Sequence, residues 1–224
     1  MTFDTFWSPI ILSLKVAALS TIIVMVFGTI VGRVLARSSK RYKILLETFF
    51  LLPMVLPPTV IGFFLIIIFG KSSPLGQWIE TLFQQSIMFT SWAAVIASTV
   101  VAFPLMYQSA KAGFSIANEQ IEDGARDLGA NELQVFLHVT LPLALPSLLG
   151  GMILSFVRAL GEFGATLMFA GNIPGKTQTI PTAIYMAIDA SNMPLAWALV
   201  LTTVGMSIVF LLLIQFINKK VTSF

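Results

Sequence analysis

EDGARDLGANELQVFLHVTLP, residues 122–142, is the stretch that decides how this chain is read. It lies in the only long, strongly charged segment of an otherwise apolar sequence. Lys111, Glu119, Glu122, Asp123, Arg126, Asp127 and Glu132 all fall within residues 111–132. The runs on either side are long enough to cross a bilayer, which takes about 20 apolar residues as a helix. A charged, structured loop between two spans is where a membrane protein meets a soluble partner.

Composition supports that frame. The chain has 224 residues, 57% hydrophobic and only 10% charged, with mean hydropathy +0.91. Soluble domains carry about 25% charge, and a soluble fold of this size could not hide so much apolar surface. Cysteine is absent, so nothing suggests disulfides or a thiolate metal site. The single histidine, His138, reads as a helix-face residue of the loop. The net charge of +3 is small, and the positive residues flank spans instead of forming a patch, so no nucleic-acid partner is implied. The N-terminal MTFDTFWSPI has an acid, no basic leader and no small-residue cleavage site after it, which reads as a retained first span.

Uncharged runs place five spans, at about 10–36, 46–70, 87–108, 143–170 and 194–217, in one domain covering 1–224. The first carries Gly28 and Gly32, a small-residue pair that lets helices approach closely. The second contains Pro53, Pro57 and Pro58, with Thr59 next. Proline breaks survive in a bilayer only where the freed carbonyls face protein or a watery cavity. The break is therefore either a packing kink or a bent helix lining a pathway. Residues 71–85, with Trp78, and residues 171–193 read as polar connectors. Lys and Arg bias sets orientation. Arg33, Arg37, Lys40, Arg41, Lys43, Lys111, Arg126, Lys219 and Lys220 fall on one side, against Lys15, Lys71 and Lys176 on the other. The richer side is expected in the cytoplasm, with the loop and the C-terminus, and the N-terminus outside.

Within the loop the pattern predicts two short helices about a glycine corner. Asn118 suits an N-cap, and Glu119, Glu122 and Asp123 sit early, where the helix dipole favours acids. Ile121, Ala125 and Leu128 share one face, and Gly129 suits a C-terminal stop. Asn131 caps the second helix, which puts Leu133, Phe136, Leu137 and Thr140 on one face, and Pro142 and Pro146 mark the return to the membrane. The plainer alternative is an amphipathic loop lying on the headgroups.

These residues resemble the EAA loop of bacterial ABC importer permeases: E-A-A, three residues, G, nine residues, I, one residue, L-P. Asp123, Gly124 and Ala125 take the first place, Gly129 the next, and Val139, Thr140, Leu141 and Pro142 the last. The departures are Asp for Glu (with Glu122 beside it), Gly for Ala and Val for Ile. RALGEFGA at 158–165, AGNIPGKTQTIP at 170–181 and LPMVLPPTVIG at 52–62 are similar to the molybdate permeases of that superfamily.

The resemblance implies an all-α, polytopic type I ABC importer transmembrane fold, whose coupling loop spans 111–142. It implies that the chain moves molybdate by alternating access in a bacterial cytoplasmic membrane. The partners it implies are a second permease copy, two ATP-binding subunits and an external oxyanion-binding protein. Coupling to the ATPase would fall to Glu122, Asp123, Gly124, Ala125, Arg126, Gly129, Leu141 and Pro142. Tungstate and sulfate permeases share much of the pattern and are the alternatives for the cargo. The chain has no GxxxxGK-Ser/Thr phosphate loop, so it is not itself expected to be an enzyme. It would need no cofactor or metal, since ATP and Mg would bind the partner. A membrane-embedded enzyme would need clustered titratable groups inside the spans, which are lacking. An autonomous channel or secondary carrier is the alternative from another class.

Arg158 and Glu162 are the ionisable pair inside a span. Arg158 follows Pro142 by about 16 residues, or roughly 24 Å of helix. A charge at that depth costs at least about 2.5–3.5 kcal/mol, so it faces protein or a cavity. Glu162, one turn on, shares its face. Either the two satisfy each other, or Arg158 attracts a dianion in transit through its guanidinium fork. Arg158, Glu162, Pro57, Pro58 and Thr59 are the candidate path residues, with Gly161, Gly164 and Gly171 as cavity-lining or hinge candidates.

Overall fold

The computed structural model describes residues 3–38, 42–117 and 119–221. Lys40, Arg41, the expected cap Asn118, and the side chains of Glu119, Lys219 and Lys220 lie outside the described residues. The regular elements described are all helices.

Helix α1 (Phe3–Ala36) and helix α5 (Ser91–Ile116) form the centre of the bundle. They touch through small residues. A Cβ on Gly28 would lie 2.9 Å from Met106 Cγ, and one on Gly32 would lie 2.6 Å from Ala110 Cβ. The Gly28/Gly32 pair therefore serves packing within the chain, where short side chains let backbones approach. Met106, Ala110 and Phe114 of α5 are buried in one core cluster with Ala17 and Val24 of α1 and with residues of the helix that follows the loop, while buried Tyr107 packs its ring on Phe50 and Phe103. The span expected at 87–108 runs on to Ile116. Lys111 Nζ meets Glu47 Oε1 at 2.6 Å, so a charge at the membrane edge is paired and the helix continues.

The region expected as the second span is two helices, α2 (Lys43–Val55) and α3 (Pro58–Phe69), bent by 114°. This corrects the single bent helix expected over 46–70. Leu56 is extended because it precedes a proline, and Pro58 sits at a first helical position, where its missing N–H is harmless. Helix α2 has no buried residue. The connector at 71–85 holds helix α4 (Pro74–Phe83), capped by Ser73, whose hydroxyl accepts from Gly76 N–H at 2.8 Å.

After the loop, α7 (Glu132–Val135), a π turn (Phe136–Thr140) and α8 (Leu141–Leu160) make one continuous helix, Glu132–Leu160. The second short loop helix is thus the start of a span, which runs on through Pro142, at a position where a missing N–H is harmless, and through Pro146. The expected span 143–170 breaks after Leu160 and resumes as α9 (Gly164–Ala170). The connector at 171–193 contains helix α10 (Ile180–Asp189), and α11 (Met193–Val221) is the last crossing. Among the described residues four helices are long and apolar enough to span, and the bent pair brings the number of crossings to five if it counts as one span. Ile180 N–H donates to Ser13 Oγ at 2.7 Å, which seats α10 near the start of α1. The other end of α1 meets the charged loop.

Candidate functional site

The loop begins with α6 (Glu119–Asp127). It stops in a Schellman turn: Ala130 N–H donates to Ala125 O at 3.1 Å and Gly129 N–H to Arg126 O at 2.9 Å. Gly129 has φ +88°, a conformation that other residues adopt only under strain. Asn131 then closes a capping box with Gln134, both bonds being 2.9 Å. The corner is fixed twice within three residues.

The orientation of α6 is the reverse of an ordinary surface helix. Ile121 and Leu128 are exposed, Leu128 at 91%, and so is Leu133. Glu122 points inward and is 2% exposed. Its Oε1 accepts from Arg37, just past the end of α1, and from Thr140 Oγ1 at 2.6 Å. Its Oε2 lies 3.4 Å from Arg126 Nη2. Arg126 also reaches Asp123 at 2.6 Å and Glu132 at 2.6 and 3.1 Å. Bonding to Glu132, then to Asp123, raises the Arg126 pKa above its already high ordinary value, so this guanidinium stays charged. One turn before Arg37, Arg33 lies with Cζ 3.9 Å from the Phe136 ring centroid.

Glu122, Asp123 and Arg126 therefore share one cluster. Gly124 and Gly129 have open space where a Cβ would be. Leu141 and Pro142 lie directly after the π turn. Reading by pattern missed Arg33, Arg37, Thr140, Glu132 and Phe136 as members. The spacing of Arg33 and Arg37, one turn apart at a helix end, was a usable signal that topology alone absorbed.

The second candidate region lies inside the bundle. Arg158 Nη1 pairs with Glu162 Oε2 at 2.8 Å, and Glu162 Oε1 accepts from Ala165 N–H at 2.8 Å. Glu162 is buried, while the Arg158 side chain is 35% exposed. The carboxylate thus bridges the gap between α8 and α9. A Cβ on Gly164 would sit 2.9 Å from Pro58 Cβ and 3.5 Å from Thr59 N. The breaks in the second and fourth crossings therefore meet, which brings Arg158, Glu162, Pro58 and Thr59 into one neighbourhood. Pro57 and Thr59 are exposed there. A cavity of about 570 Å³ under the α2–α3 elbow is a different place. Phe49, Phe50, Phe64, Val100 and Phe103 line it, with hardly a polar group to receive an ion.

Apolar crossings, two of them broken at one level, with a capped charged loop at one end, are the plan of a transport subunit. The fold is the type I transmembrane fold of ABC importers. Its likeness to the solved structure titled as inward-facing conformations of the MetNI methionine ABC transporter has TM-score 0.75 at 17% identity, over 99% of both chains. An ABC transporter for import of the acidic polysaccharide alginate matches with TM-score 0.74 at 14% identity, over 99% of this chain and 80% of that one.

The chain belongs to the family of binding-protein-dependent transport system inner membrane components, whose family model matches residues 24–223. Among its relatives is YvgM of Bacillus subtilis (strain 168), described provisionally as a molybdenum transport system permease protein. It is 59% identical over 210 residues, 94% of this chain and 92% of YvgM. The molybdenum transport system permease protein ModB of Escherichia coli (strain K12) is 39% identical over 186 residues, 83% of this chain and 81% of that protein. ModB of Haemophilus influenzae is 39% identical over 214 residues, 95% of this chain and 93% of that protein. This is a multi-pass cell-membrane permease subunit of an ABC transporter. Its family implies an ATPase and a substrate-binding protein as partners.

Proposed function

We infer that the chain imports molybdate as the permease subunit of an ATP-driven transporter. The observation that carries this reading is 59% identity to YvgM across 94% of the chain, together with 39% identity to ModB proteins. Two copies pair around the path, each copy engaging one ATPase subunit through its loop, and a separate binding protein delivers the oxyanion. ATP and Mg are bound and ATP is hydrolysed by the partner, so the permease carries no cofactor. The loop end faces the cytoplasm, as does the C-terminus. The positive residues Arg33, Arg37, Lys43, Lys111 and Arg126 support this, by the rule that lysine and arginine collect inside.

In this reading Ile121, Leu128 and Leu133 are apolar contacts offered to the ATPase, as exposed apolar groups on a polar loop suggest. Asp123, Gly124, Ala125, Arg126 and Gly129 shape that surface. Leu141 and Pro142 carry its displacement into the span, and Glu122 stands behind the surface. Arg158, partly exposed beside the meeting helix breaks, is the cation that attracts the dianion. Glu162, together with Pro57, Pro58 and Thr59, holds the bend around it. Cargo recognition rests mainly on the binding protein, so the path itself need only be weakly attractive.

The test is uptake by proteoliposomes holding the permease, its ATPase and its binding protein, offered molybdate, tungstate or sulfate in turn. Molybdate uptake that needs ATP is expected. Preference for sulfate would replace the cargo, and uptake without the ATPase would replace the class.

A further inference from the structure

A carboxylate on a short polar helix is ordinarily solvated, yet Glu122 is 2% exposed. Its partners come from three elements. Arg37 follows the end of α1, Thr140 closes the π turn at 2.6 Å, and Arg126 belongs to α6 itself. Arg33 grips the same π turn through the Phe136 ring. The π turn matters because it sets helical phase. One extra residue in a turn rotates everything beyond it by roughly 100°. The helix beyond it is the one that carries Arg158.

We propose that Glu122 is a positioning residue that locks α6 to the end of α1 and to the π turn. Displacement of α6 then reaches the helix Glu132–Leu160 as movement of one rigid unit. The inference rests on the reading of this loop as the ATPase contact, and it deepens that reading. The carboxylate does not face the ATPase; it makes the contact surface and the span move together. A buried charge hydrogen-bonded on both oxygens holds such a joint firmly, because loss of any partner leaves the charge short of a bond in a dry site.

The test uses the reconstituted complex of full-length permease, ATPase and binding protein, with molybdate uptake and ATP hydrolysis measured on the same vesicles. Glu122→Gln and Arg37→Gln are each expected to lower molybdate moved per ATP about tenfold, and the double variant no further, since both break one joint. Thr140→Val is expected to lower the ratio two- to threefold. Arg37→Gln is expected to keep its ATPase on purification.

An unchanged ratio in Glu122→Gln and Arg37→Gln would overturn the proposal, as would losses that multiply in the double variant. Loss of the ATPase from Glu122→Gln, with normal coupling in Arg37→Gln, would make Glu122 a docking residue and overturn it too. If Glu122→Gln does not fold, Arg37→Gln and Thr140→Val decide the matter from the other elements. Failure of the wild-type complex to move molybdate would defeat the functional reading first, and this inference with it.

Discussion

Gly129 is the residue on which the loop turns. Its φ of +88° and its N–H bond to Arg126 O set two separate demands. Alanine violates the first, at about 1–2 kcal/mol for a left-handed residue. Proline violates both. Uptake should therefore fall in the order wild type, Gly129→Ala, Gly129→Pro, with the permease still inserted in each case. Equal uptake in all three would show that the corner does not matter. Arg158 and Glu162 invite a paired comparison. Arg158→Gln removes the ion-pair partner of buried Glu162, whose other carboxylate oxygen accepts from Ala165 N–H, so it should lower the melting temperature in detergent. Adding Glu162→Gln removes the stranded charge and should restore much of that loss. Molybdate uptake should stay low in both variants, because the cation is gone. Recovery of uptake in the double variant would reduce the pair to a packing role.

At the scale of elements, the bundle depends on close helix approach. Gly32 faces Ala110 and Lys111, and Gly62 faces Met168 and Ala165. Gly32→Leu should push α1 off α5 and destabilise by about 1–3 kcal/mol, as overpacking does. Gly62→Leu should instead disturb the α3–α9 contact, where the two helix breaks meet, and so lower uptake more than stability. Thermal melting and uptake measured on both variants would separate the two roles; identical profiles would contradict the distinction. Element type was largely legible from pattern: apolar length located the crossings, and Gly129 with Asn131 located the corner. What pattern could not supply was direction. Ile121, Ala125 and Leu128 share a periodic face, but periodicity does not say which way it turns. The buried face of α6 centres on Glu122, because Arg37 and Thr140 wait there from distant parts of the chain. Likewise Pro57 and Pro58 announced a break, but neither its 114° angle nor the docking of α3 on α9 could be read from them. The π turn at Phe136–Thr140 left no mark that propensity could read.

As a whole molecule, the chain places its charged loop at one end of an apolar bundle and the seated connector helix α10 at the other. The paired ions Arg158 and Glu162 lie between them, near the meeting of the two broken crossings. That layout suits a subunit driven from one end and supplied at the other. It also leaves much apolar surface on α11 and on the outer face of α1, as suits a chain set in lipid. The most direct measurement is molybdate uptake into proteoliposomes with the components supplied singly and together. Uptake is expected only when permease, active ATPase, ATP and binding protein are all present, and is lost when ATP is withheld. Molybdate flux through the permease alone, or through the full complex without ATP, would contradict it.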